Sequence, residues 1–88
     1  MTLYRYIPIW RRIPGGATLY RCFEIPGKGF MVQSRDFYYL KDVKDQTQRI
    51  QHEAQFLELL IEEAPEVRSQ VLPTMEAAIE SFDAGFEE

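Results

Sequence analysis

The chain is poor in the residues that carry most catalytic and metal chemistry. It has one cysteine, Cys22, and one histidine, His52. One cysteine excludes an intramolecular disulfide, and no nucleophile signature surrounds either residue. Because His52 falls outside the apolar stripe of its predicted helix, we expect it to be solvated. Glu58 and Glu62 are one helical turn apart, but the chain has no Glu-x-x-His pair of the kind found in carboxylate metal sites on helices. The sequence therefore predicts no catalytic residue, no cofactor and no metal site.

No stretch of the chain is apolar for long. None approaches the ~20 residues that a membrane-spanning helix needs. Residues 1–12 carry three arginines and lack the uninterrupted apolar region of a signal peptide. We therefore expect no membrane association and a reducing, cytoplasmic location. The chain is one domain, 1–88, with a marginal core, because a domain this short buries only about 60% of the surface of its unfolded chain. Close packing or association with a second chain would supply the missing stability.

Charged and aromatic residues are distributed unevenly. Residues 1–41 hold seven basic side chains against two acidic ones, a net charge of +5. Residues 42–88 hold three basic side chains against twelve carboxylates, a net charge of −9. Nine of the twelve aromatic residues lie at or before Tyr39. This asymmetry predicts either attraction between two halves of one fold or a charged partner, including nucleic acid.

Residues 1–41 are predicted to form a basic, aromatic, three-stranded antiparallel β-meander. Two Gly-rich turn sequences separate three β-rich segments, which cover about 3–13, 18–25 and 30–40. Pro8 cannot donate a ladder hydrogen bond, so we expect the first segment at a sheet edge.

Neither face of the predicted sheet is cleanly polar. With the turns centred on the Gly-rich sequences, Trp10 would lie opposite Arg21, and Phe23 opposite Val32. Both faces then carry apolar side chains, unlike an antiparallel sheet that packs on one side only. We expect helices to cover one face, which leaves the other free for a partner.

Residues 42–88 are predicted to form an acidic helical part, which makes the fold class α+β. Apolar residues at spacings of three and four predict helices over about 43–63 and 66–83, both packed on one sheet face. The second helix is kinked or restarted near Pro73, and the last few residues, from Asp83, are expected to fray. Asp42 is a candidate N-cap for the first helix. The apolar stripe of that helix, which we expect to dock on the sheet, consists of Val43, Thr47, Ile50, Ala54, Leu57 and Ile61, and Phe56 and Leu60 widen it.

These features favour a small non-enzymatic protein–protein interaction or regulatory module that self-associates through the open sheet face or the helices. We expect a homodimer or another protein as the partner, and infer no small-molecule substrate. The alternative is a single-stranded nucleic-acid-binding protein, in which the aromatic sheet stacks bases and arginines contact phosphates. Carboxylates near the C-terminal end of the first helix oppose its dipole, which hints at a basic partner. The candidate interaction surface comprises Ile7, Ile9, Arg11, Tyr20, Met31, Arg35, Glu58 and Glu62.

Overall fold

A computed structural model describes residues 1–86 of the chain, so the last two residues of the segment expected to fray lie outside the described residues. The described residues form an α+β fold, as predicted. The elements are strands β1 (Arg5–Ile13), β2 (Gly16–Ile25) and β3 (Gly29–Tyr39), a 3-10 turn (Leu40–Asp42), and helices α1 (Gln46–Glu62), α2 (Pro65–Arg68) and α3 (Met75–Ala84). None of these helices is both long and apolar enough to cross a membrane.

The three strands form one antiparallel sheet in the order β1-β2-β3, which confirms the predicted meander. The Gly-rich sequences make its turns, and Gly15 and Gly27 take the left-handed backbone conformation, with φ of 76° and 80°. A residue with a Cβ adopts this conformation at a steric cost, which explains glycine at both positions. β1 is an edge strand and carries Pro8, in agreement with the prediction.

The register differs from the predicted one along β1 and along the first part of β3. Trp10 pairs with Leu19 rather than Arg21, a shift of two residues that leaves the faces of β1 unchanged. Between β2 and β3, Cys22 pairs with Val32 but Arg21 pairs with Ser34, so Gln33 is an extra residue and forms a β-bulge. Ile25 pairs with Gly29, so three residues form the turn, and Val32 lies on the face of Cys22, not of Phe23 as expected. Beyond the bulge, the pairing of Arg21 with Ser34 has the predicted register.

The helices cover both faces of the sheet, which corrects the expectation that they pack on one. On the first face, Phe23, Ile25 and Met31 form a buried cluster with Phe56 and Leu60 of α1. On the other face, a second cluster brings two residues of α3 against the sheet; its buried members are Tyr20, Cys22, Val32, Ala78 and Ile79. Cys22 and Phe23 are consecutive in β2 and so point to opposite faces. We call the two faces the α1 face and the α3 face.

The helix boundaries follow the caps and prolines. The side chain of Asp45, not of Asp42, caps α1 by accepting a hydrogen bond from the Thr47 backbone N–H. Pro65 is the first residue of the short helix α2, and α3 restarts after Pro73 with Thr74 as its N-cap. This restart is one of the two alternatives predicted.

The segment between α2 and α3 is attached to the free edge of β3. Phe30 and Leu72 exchange two backbone hydrogen bonds, with N···O distances of 2.7 and 2.8 Å. The bridge covers part of an edge strand that would otherwise expose unpaired backbone groups. It also holds the start of α3 close to the face that this helix covers.

Candidate interaction surface

The α1 face of the sheet has a polar centre. Arg21 is almost fully buried there, and its guanidinium group donates hydrogen bonds to Asp36 at 3.0 Å and to the Tyr38 hydroxyl at 3.2 Å. It also lies over the ring of Phe56, 5.5 Å from the centroid. Burial alone would lower the pKa of Arg21, but the hydrogen bonds to Asp36 and Tyr38 outweigh it and raise the pKa, so the side chain stays charged.

Helix α1 docks on this face through a mixture of polar and apolar side chains. His52 is half-buried, and its Nδ1 atom lies 2.9 Å from the Tyr38 hydroxyl. Phe56 stacks on Phe23 with ring centroids 5.5 Å apart. The side chain of Gln33, the bulge residue, donates a hydrogen bond to the Phe56 carbonyl at 3.1 Å. His52 therefore faces the sheet, contrary to the solvated position expected from sequence.

The apolar stripe of α1 points away from the sheet. Ile50 is 62% exposed, Leu57 54% and Ile61 74%, and the helix has no buried residue. Residues two apart on an α-helix are about 200° apart around its axis, so a helix that docks through Phe56 must turn Ala54 outward. The expectation that the stripe docks on the sheet is therefore wrong for these residues and holds only for Phe56 and Leu60, which widen it. We call the outward-pointing part the outer stripe of α1; its residues are Thr47, Ile50, Ala54, Leu57 and Ile61.

A second charged group, the carboxylate of Asp83, attaches helix α3 to the α3 face of the sheet. The Asp83 carboxylate accepts hydrogen bonds from Arg35 at 2.8 Å, from the Tyr20 hydroxyl at 2.8 Å and from Arg11 at 3.0 Å. Burial would raise the pKa of Asp83, but these three donors outweigh burial and lower the pKa below its ordinary value of 3.8. Burial and the bond to Asp83 raise the pKa of Tyr20 in turn. Asp83 thus ties α3 to all three strands, and fraying does not begin there.

The basic residues of the sheet are largely engaged inside the molecule. Arg11 and Arg35 pair with Asp83 from the helical half, whereas Arg5 pairs with Glu24 and Arg21 with Asp36 within the sheet itself. The opposite charges of the two halves of the sequence therefore partly pair with each other inside the fold. This is one of the two interpretations left open by the sequence.

The predicted interaction surface is dispersed by the fold. Ile7 and Ile9 pack against the α3-face cluster, which also contains the buried Tyr20. Met31 is fully buried on the opposite face, and Arg11 and Arg35 bind Asp83. Glu58 and Glu62 are exposed on α1. The outer stripe was visible in the sequence as a helical pattern, but no signal there distinguished an outward stripe from an inward one.

An open cleft lies where the sheet meets the start of α1. Its volume is about 460 Å³. Trp10 is 58% exposed at this site, and Arg12 and Arg49 also line the cleft. Neither arginine forms an ion pair with any residue in 1–86. The other apolar lining includes Tyr39, Leu40 and Val43. Aromatic walls beside two guanidinium groups suit a planar or anionic group.

A scan against protein-family models and searches of curated proteins and of solved structures gave no match to this chain.

Proposed function

We propose that the protein is a non-enzymatic protein–protein interaction module that self-associates through the outer stripe of α1. The observation that carries this proposal is the exposure of Ile50, Leu57 and Ile61 on a helix that docks through its opposite side. Full burial of one such side chain stabilises by about 1.5–3 kcal/mol, so three aligned residues provide a strong drive for association. A contiguous exposed apolar surface of this kind is typical of interaction sites.

The total accessible surface supports the same proposal. The chain exposes 6204 Å², whereas a folded monomer of 10.4 kDa is expected to expose about 5,400 Å². The excess, roughly 800 Å², is shared between the outer stripe and other exposed apolar residues, among them Met1, Leu3 and Val67. The second sheet face is not available for this role, because α3 covers it.

The proposal is tested with a double variant, Ile50→Gln and Leu57→Gln. Light scattering after size exclusion should give a concentration-dependent dimer mass for the wild type and a monomer mass for the variant. Both substituted side chains are more than half exposed, so circular dichroism and thermal unfolding of the monomer should be nearly unchanged.

The matched control is Val67→Gln, which removes a 70% exposed apolar side chain from α2, a helix that is not part of the stripe. This variant should dimerise like the wild type. A wild-type protein that is monomeric at every concentration would refute self-association, and equal dimer loss in the control would refute the assignment to α1.

Single-stranded nucleic-acid binding is the second candidate, and the cleft is what favours it. Trp10 is the one tryptophan of the chain and stands exposed beside Arg12 and Arg49. Stacking of a base on Trp10 would quench its fluorescence, and contacts to phosphate would make affinity fall steeply with salt. An unchanged Trp10 spectrum on titration with DNA or RNA oligonucleotides at low salt would rule this candidate out.

A further inference from the structure

We infer that the occupant of the outer stripe is a second copy of this chain, with the two α1 helices side by side and antiparallel. This inference rests on the proposed self-association and adds the orientation of the two copies. It describes a closed, two-fold symmetric contact in which the same surface of each copy is used.

The spacing of the stripe is that of a coiled-coil seam. Consecutive members are separated by three, four, three and four residues, and from Thr47 to Ile61 they extend over about 21 Å of helix. Such a seam fits between two helices of the same kind rather than into a deep pocket. The seam lies wholly within α1, so one continuous helix presents it.

The sizes of the seam residues favour the antiparallel orientation. In a parallel pair each residue faces its own copy, so Thr47 meets Thr47 and Ala54 meets Ala54, which leaves two small-to-small layers. In an antiparallel pair centred near residue 52, Thr47 faces Leu57 and Ile50 faces Ala54 of the second copy. Each of these two layers joins a small side chain to a large one. Ile61 lies opposite Val43, just before helix α1 of the second copy.

The charges beside the seam favour the same orientation. The carboxylates of α1 lie from Glu53 onward, whereas Lys44 and Arg49 lie at or before its first turn. In a parallel pair, coiled-coil geometry places Glu53 beside Glu58 of the other copy twice. In the antiparallel pair Glu58 lies opposite the positive N-terminal end of the other helix, where Lys44 precedes the N-cap Asp45, also twice. One like-charge contact remains, between the two Glu53 side chains at the centre.

Cysteine cross-linking distinguishes the two orientations. Cys22 is fully buried, so it can stay in place while Thr47→Cys and Leu57→Cys variants are mixed and oxidised. The antiparallel pair should yield a disulfide between the two different variants. It should yield none between two Thr47→Cys chains, whose helix positions would be about 15 Å apart. A disulfide between two Thr47→Cys chains would refute the antiparallel orientation. Gln55→Cys, exposed but off the seam, is the control and should not cross-link with Thr47→Cys.

A charge exchange provides an independent measurement that leaves the seam intact. Glu58→Lys should weaken the antiparallel dimer about tenfold, because two favourable interactions with the N-terminal end of the other helix, next to Lys44, become unfavourable, and adding Lys44→Glu should restore it. In a parallel dimer Glu58→Lys would instead tighten association, because it removes two contacts with Glu53. That result would refute the inferred orientation while leaving self-association standing. A wild type that never dimerises would refute the proposed function itself.

Discussion

Among single substitutions on α3 that exchange one polar atom for another, Asp83→Asn should destabilise the fold the most. The two side chains are nearly isosteric, so Asp83→Asn tests charge and hydrogen bonding with little change in shape. The amide keeps one acceptor oxygen but sets an NH2 donor against Arg35 or against the Tyr20 and Arg11 donors. It also leaves the guanidinium group of Arg35, which is 18% exposed, without its counter-charge.

The magnitude follows from the three bonds. A hydrogen bond to a charged group contributes about 1.5–3 kcal/mol, but Arg11 is half exposed and its pair contributes less. With one acceptor retained, we expect a loss of about 2–3 kcal/mol. For a domain of this size this corresponds to a fall in Tm of roughly 10–20 °C. Urea unfolding at fixed protein concentration measures the loss, and Glu80→Gln, exposed on the same helix, should change stability by less than about 0.5 kcal/mol.

The dependence of folding stability on pH provides a result that could refute the role given to Asp83. The pKa of Asp83 is lower in the folded state than its ordinary value of 3.8, so the stability from its charge is fully present above that value. It is lost only as the pH falls through the lower folded pKa. The difference in the free energy of unfolding between the wild type and Asp83→Asn should therefore stay constant from pH 7 to about 4.5. This difference should narrow below the ordinary pKa of 3.8. A difference under about 0.5 kcal/mol at pH 7, or one that does not narrow in acid, would refute this account.

Two further predictions concern α1 and the core. Phe56→Ala should cost about 2–4 kcal/mol in urea unfolding, since Phe56 packs on Phe23 and Arg21, whereas Leu57→Ala should cost under about 1 kcal/mol in the monomer. A larger loss for Leu57 than for Phe56 would mean that α1 docks through its other side. Cys22 should resist thiol reagents in the native protein at pH 8, because burial leaves it 0% exposed and raises its pKa to about 12. Labelling as fast as in denaturant would contradict its burial.

The elements themselves were predictable because their signals are local. Gly15 and Gly27 supply backbone conformations that few other residues adopt, and they mark the two turns of the meander. Pro65 and Pro73 cannot continue a helix, so the restart between α2 and α3 could be read without any tertiary information. The boundary at Asp45 was less predictable, because Asp42 and Asp45 are equally good caps by composition.

The candidate site was not predictable, because it depends on which side of α1 docks. An apolar stripe on a helix ordinarily faces the core, and the stripe from Thr47 to Ile61 has that pattern. The buried Arg21 on the α1 face needs hydrogen-bond acceptors around it, and the half-buried His52 joins the same network through Tyr38. Once His52 and Phe56 point inward, helical geometry turns the stripe outward.

By itself, then, the sequence determined the order and type of the elements, the turns and the helix breaks, since each depends on residues close together in the chain. Only the tertiary structure decided that α1 and α3 lie on opposite faces and that the stripe is exposed. Those features depend on contacts between distant residues, such as Asp83 with Arg11 and Arg35. They also depend on the bulge at Gln33, which changes the faces of β3 without any local marker in the sequence.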